Sequence, residues 1–155
     1  MRTTEPVPTR VRIEHFIDTR SVGFGCWLYR VTRGCAPRLW HRRALLLTTT
    51  GRRTGLARTV IVQFFPDGED FVVVAANSGL PTHPGWYFNL TAHPDAVVEV
   101  EGRTFQVRAE EMSTCDAAAF WPRVLETAPD YARYRARTSR VIPLIRLIPF
   151  EERRP

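Results

Sequence analysis

Three arginines crowd a turn bracketed by glycines, Gly51-Arg52-Arg53-Thr54-Gly55-Leu56-Ala57-Arg58, which follows the apolar run Leu45-Leu46-Leu47. The glycines let backbone N–H groups come close to a ligand, and guanidinium forks match the oxygens of phosphate or carboxylate. Anion binding is the chemistry this stretch offers. A Walker-type phosphate loop is excluded, since that pattern needs Lys and then Ser or Thr after its second glycine, where this chain has Leu56 and Ala57. A solvated basic hairpin is the plainer reading of the same residues.

A second stretch suits a flat ring. Asn77-Ser78-Gly79 supplies backbone donors and small side chains, and Trp86-Tyr87-Phe88-Asn89-Leu90 reads as a short helix with Trp86 and Leu90 on one face and Asn89 beside it. A planar heterocycle held between these two, its anionic tail on the arginine turn, is the arrangement they permit. Farther on, Tyr131 and Tyr134 share a helix face, where their hydroxyls could orient or protonate a substrate or simply edge the core. His15, His41, His83 and His93 show no ligand spacing, so no metal is expected. No nucleophile elbow is present, and Glu110-Glu111 and Glu151-Glu152 read as solvent-facing pairs.

The elements that must position these groups are mainly strands. Ala44–Thr50 and Ala57–Phe65 read as strands, and Asp67-Gly68 before Phe71–Ala76 is a hairpin signal. Joints this short forbid parallel crossovers and force an antiparallel meander. Gly85–Ala92 reads as a helix, Ala96–Val100 and Arg103–Glu110 as a second hairpin around Glu101-Gly102, and Ile142–Ile148 as a last short strand. Ser113 caps a helix with apolar residues at helical spacing, weakened by its interior Pro122, and Pro129 restarts helix over Asp130–Thr138. Six mostly antiparallel strands with helices inserted late predict a small barrel closed on itself, which removes exposed edges.

At 155 residues, 44% hydrophobic and 25% charged, the chain is expected to form one domain over residues 15–155 behind a polar, proline-punctuated, flexible arm at 1–14. The net charge of +6, almost all arginine, favours anionic partners, and the cluster Arg133, Arg135, Arg137, Arg140 keeps open a basic module for nucleic acid or membrane surfaces. Cys26, Cys35 and Cys115 have no CxxC spacing and read as reduced thiols. Without an apolar leader or the roughly eighteen apolar residues of a span, a cytoplasmic protein is expected. Phe16–Val31 reads as an irregular amphipathic helix, weakened by Gly23 and Gly25, that packs on the core or roofs a pocket, with peripheral membrane contact as the other option.

Taken together, Leu45–Arg58, Asn77-Ser78-Gly79, Pro84 to Pro94, Phe120-Trp121-Pro122 and the Tyr131, Tyr134, Ile142-Pro143 region resemble the deazaflavin-dependent nitroreductase family, from about Phe24 to Pro149. The resemblance implies a split β-barrel like those of flavin reductases and pyridoxamine-phosphate oxidases. It further implies binding of coenzyme F-420, an 8-hydroxy-5-deazaflavin, and hydride transfer to a quinone or another electron-poor acceptor such as a nitroaromatic or an enone. It would place Arg52, Arg53, Thr54 and Arg58 on the anionic tail, Ala75, Ala76 and Asn77 beside the ring, and Pro84, Trp86, Tyr87, Asn89 and Leu90 around its pocket. Tyr131 and Tyr134 would face the substrate. No nucleic-acid partner is implied, and oligomeric state is left open. The chain departs from many relatives at Ala76, where they carry a small hydroxyl residue. It also departs at Ala128, where the mycobacterial nitroimidazole-activating member has a tyrosine, so that drug class is not expected as substrate. An FMN- or haem-binding split barrel is the nearest alternative.

Overall fold

The computed structural model describes residues 22–32 and 42–153. The arm at 1–14, Phe16, Ile17, His15, Cys35 and His41 lie outside the described residues. A helix, α1 (Val22–Val31), precedes β1 (Ala44–Thr50), β2 (Ala57–Asp67) and β3 (Asp70–Val74). A 3-10 turn (Asn77–Gly79) and α2 (Gly85–Ala92) lead to the β4 (Asp95–Val100) and β5 (Arg103–Glu111) hairpin. Then follow α3 (Thr114–Thr127), α4 (Asp130–Ala136) and β6 (Leu144–Arg153).

The six strands form one closed barrel in the order β1-β2-β3-β6-β5-β4, every neighbouring pair antiparallel. The expected meander and closure are both present. Gly68, at φ 63°, begins the β2–β3 turn, and Glu101 and Gly102, at φ 51° and 80°, form the β4–β5 turn. Side-chain alternation then divides the core. Leu45, Leu47, Val73, Ile145 and Leu147 belong to one buried cluster with Val98 and Val107. Their neighbours Val72, Val74 and Leu144 pack in a second cluster with Phe120 and Val124 of α3 and Tyr131 of α4. Leu46 lies in a third cluster with Cys26 and Tyr29 of α1, which explains why the three consecutive leucines are all fully buried. The Tyr29 hydroxyl donates to the Ala44 carbonyl at 2.8 Å, fastening α1 beside the β1–β4 seam.

The helix expected from Ser113 is present as α3, which runs unbroken through Pro122, and the Ser113 hydroxyl accepts from the Asp116 N–H at 3.1 Å. The packing of Phe120 and Val124 against β3 and β6 holds both flanking turns, and tertiary burial overrides the local cost of proline. The last strand, expected over Ile142–Ile148, is corrected: it begins at Leu144 and extends to Arg153, because β5 supplies backbone partners as far as Thr104↔Arg153, past a register shift at Gln106/Val107.

At the β2–β3 turn, the Asp67 carboxylate accepts from Arg146 of β6 at 2.8 Å and from Arg123 of α3 at 3.1 Å. The Arg146 guanidinium, followed by burial acting in the opposite sense and then Arg123, leaves the Asp67 carboxyl below its ordinary value. Its stabilising contribution is therefore complete above the unfolded carboxylate value of about 3.9 and is lost as pH falls through the depressed folded value. Asp67→Asn should cost about 1–2 kcal/mol at neutral pH, with the deficit against wild type closing in acid. Thermal melts of both proteins across the acidic range check this, and identical midpoints at pH 7 would refute it.

Candidate functional site

A cleft of about 600 Å³ opens along β2. It is bounded by β2 from Arg58 through Gln63, by Thr49 of β1, and by Val74, Ala76, Asn77 and Ser78 where β3 ends. Thr82, His83, Pro84, Gly85, Trp86 and Asn89 add the approach to α2, and Tyr131 and Tyr134 add α4. Residues as far apart in sequence as Thr49 and Tyr134 thus meet in one place.

The wall after β3 is held in an unusual backbone conformation. Asn77, Ser78 and Gly79 all have positive φ, at 47°, 54° and 75°. Two of the three are not glycine, so the conformation costs energy that surrounding contacts must offset. Asn77 Nδ2 donates to the Thr82 carbonyl at 2.9 Å, and the Leu80 N–H donates to the Asn77 carbonyl at 2.9 Å. A Cβ at Gly79 would stand 2.7 Å from the Tyr134 carbonyl and 2.8 Å from Arg137 Cβ, so the turn is pressed directly onto α4. Arg140 braces the same segment from behind, donating to the carbonyls of Ala75 at 3.1 Å, Ala76 at 2.7 Å and Leu80 at 2.9 Å.

Asn89 joins the ring-like end of the cleft to the arginine turn. Its Nδ2 donates to Thr49 Oγ1 at 3.0 Å, and its Oδ1 accepts from the Arg52 N–H at 3.1 Å. Arg58, paired with Thr49 across β1 and β2, lines the cleft at this end. Arg52, Arg53 and Thr54 lie in the adjoining turn, outside the lining. The Arg52 guanidinium sits 4.4 Å over the Phe88 ring, Arg53 is exposed, and Thr54 Oγ1 accepts from the Leu56 N–H at 3.3 Å.

Among the remaining sequence-selected residues, Pro84, Trp86, Ala76 and Asn77 line the cleft and Ala75, Tyr87 and Leu90 do not. Leu90 is buried in the barrel cluster and Ala75 is fully buried with its N–H on the Pro143 carbonyl. Tyr87 donates from its hydroxyl to Glu111 at 2.9 Å and supports His83 with a ring separation of 4.5 Å. Burial and, after it, the hydrogen bond to Glu111 raise the Tyr87 phenol above its ordinary value. Tyr131 and Tyr134 make an edge-to-face pair at 5.4 Å, with Tyr131 also edge-to-face on Phe65. Burial pushes the Tyr131 phenol well above its ordinary value, so it stays protonated. Among the described residues no hydrogen bond engages either hydroxyl.

Sequence reading passed over three residues here. Gln63 is the one polar side chain in Val60-Ile61-Val62-Gln63-Phe64-Phe65, a detectable signal, and its buried Nε2 has no partner among the described residues. His83 stands directly before the helix-opening proline. Arg140 carries no local signal, because its partners are mostly backbone carbonyls remote in sequence. Among the described residues, no three His, Cys, Asp or Glu side chains gather as metal ligands, and no helix is long and apolar enough to cross a membrane.

A closed antiparallel barrel with a cleft beside a helix-bearing crossover is the split β-barrel architecture of flavin-reductase-like proteins. A FAD-binding protein from Mesorhizobium loti shares the fold at TM-score 0.52 and 15% identity, over 76% of this chain and 87% of that one. A family model described as F420H(2)-dependent quinone reductase matches residues 24–149, and the chain belongs to this oxidoreductase family. It is 39% identical over 126 residues to an F420H(2)-dependent quinone reductase of Mycobacterium tuberculosis, covering 76% of this chain and 83% of the relative. A solved F420-H2 dependent reductase, FDR-A, superposes at TM-score 0.63 and 32% identity, over 68% of this chain and 94% of that one.

Because Gly79 combines a left-handed backbone with backbone atoms under 3 Å from any added Cβ, Gly79→Ala should destabilise the protein by about 2 kcal/mol or more. Thermal melting tests this, and an unchanged midpoint would show that the turn is not pressed onto α4.

Proposed function

We propose that this protein transfers a hydride from reduced coenzyme F-420 to a quinone or a similarly flat, electron-poor acceptor such as a nitroaromatic or an enone. The observation that carries the reading is convergence. Arg58, Ala76, Asn77, Pro84, Trp86, Asn89, Tyr131 and Tyr134, selected from four separate stretches of sequence, line one cleft. Its volume lies within the range of about 300–1,000 Å³ typical of cofactor sites.

The residues fit the group. A deazaflavin carries a flat polar ring and a long anionic tail, and the cleft offers apolar walls on β2 with Arg58 at the end where Arg52 and Arg53 follow in the adjoining turn. Arg58 with the neighbouring turn would hold the tail, while Ala76, Asn77, Pro84 and Trp86 would border the ring. When bound, reduced F-420 supplies a hydride from carbon, the hard chemistry of the reaction. The protein's own task is then placement and charge stabilisation. Val60, Ile61, Val62 and Val74 would give the ring an apolar wall to lie against. The unpartnered Gln63 amide and the phenol hydroxyls of Tyr131 and Tyr134 can donate to an acceptor oxygen that gains negative charge. No covalent nucleophile is required. Trp27, Leu28 and Val31 present exposed apolar side chains on α1, which a peripheral contact with a lipid surface would use.

Fluorescence titration at low salt should show F-420 binding that weakens as salt rises, and addition of menadione should oxidise the reduced form. Arg58→Ala should weaken cofactor affinity about tenfold or more while leaving the thermal midpoint close to wild type. Absence of any binding by the wild type at low salt would overturn the proposal.

A further inference from the structure

Arg140 lies between α4 and β6 and spends its guanidinium on one short segment. Besides the carbonyls of Ala75, Ala76 and Leu80, its Nη1 stands 2.9 Å from Nδ1 of His83. No carboxylate among the described residues pairs with it. A guanidinium has donors only and does not lose its proton in proteins, so the His83 Nδ1 must accept. That fixes the imidazole proton on Nε2.

The surroundings keep the ring neutral and still. Burial, and then the charge of Arg140, lower the proton affinity of His83, while Glu111 acts weakly in the opposite sense. The imidazole is tilted against Tyr87 at 4.5 Å and meets Phe88 edge-to-face at 5.8 Å. Tyr87 is itself tethered through its hydroxyl to Glu111. His83 lines the cleft, and its Nε2–H has no partner among the described residues. A neutral donor on a rigid ring beside an apolar wall discriminates sharply, since an oxygen acceptor satisfies it and a second donor placed there does not.

We propose that Arg140 is a positioning residue that locks His83 in its Nε2–H tautomer, and that this N–H donates to a carbonyl oxygen of the planar ring bound in the cleft. The donor's role rests on the reading of the cleft given above; the tautomer does not. Both a deazaflavin and a quinone present ring carbonyls, so the chemistry is shared and the measurements separate the two.

The first measurement is a long-range 1H–15N correlation on full-length protein with 15N-labelled histidine at neutral pH. His83 should show a protonated Nε2 and a bare, pyridine-like Nδ1, and Arg140→Met should convert it to a mixture of tautomers. A protonated Nδ1 or an imidazolium in the wild type would overturn the assignment. The second compares wild type, His83→Leu and His83→Gln in F-420 fluorescence titration and in menadione reduction. A loss of about tenfold in F-420 affinity in His83→Leu assigns the carbonyl to the cofactor. Unchanged F-420 affinity with KM for menadione raised about tenfold and kcat little altered assigns it to the acceptor. In either case the amide of His83→Gln should restore most of the loss. Equal behaviour of His83→Leu and wild type in both assays would overturn the donor. A wild type with the Nε2–H tautomer that binds neither F-420 nor menadione would overturn the reading of the cleft and the donor's role together, leaving the tautomer lock standing.

Discussion

Closure of the sheet is the constraint on which the rest of the structure depends. Once β1 pairs with β4 and β3 with β6, every backbone edge is used and each strand has one face committed to an interior filled by leucine, valine and isoleucine. Around that filled interior the helices cover much of the outer face. Helix α1 covers Leu46, and α3 with α4 covers Val72, Val74 and Leu144. The cleft takes β2 from both faces, Val60 and Val62 from the barrel side opposite Leu47 and Leu45, and Ile61 and Gln63 from the other.

The crossover from β3 to β4 completes that cleft, and its precision comes from fixed backbone. Three successive left-handed residues would drift among conformations if isolated. Contact with α4, the Asn77 amide on Thr82 and the fan of donors on Arg140 confine them. Asn89 performs the same service at the other end by tying α2 to β1 and to the arginine turn. The cleft is thus bordered by loops that behave with the stiffness of regular elements.

Much of this architecture was legible in the sequence. The strands around Leu45–Leu47 and Phe71–Val74, and the turns at Asp67-Gly68 and Glu101-Gly102, carry strong local signals, and the short joints among them permit few topologies. The continuity of α3 through Pro122 was less legible, because the proline's local cost is outweighed by burial of Phe120 and Val124, a benefit visible only once α3 is docked. The end of β6 was missed because its charged residues, past Pro149, are recruited by the β5 ladder and not by their own propensity. In the site, residue types with obvious chemistry were easier to find than those that hold backbone. Leu90 was drawn in by its place in a striking motif although its side chain belongs to the core. Arg140 was read as one more surface charge, since nothing near it in sequence reveals that its acceptors are carbonyls some sixty positions upstream.

Val60, Val62 and Trp86 pack against the barrel cluster and also line the cleft, making them shared property of scaffold and site. Val74, Ala76 and Tyr131 are shared in the same way with the second cluster, on which Tyr134 also packs. Gln63 belongs to neither cluster, so evolution can rewrite ligand preference there without reopening the problem of how the core is filled. The shared side chains mark the boundary of that freedom, where a gain in new chemistry draws directly on the stability of the fold.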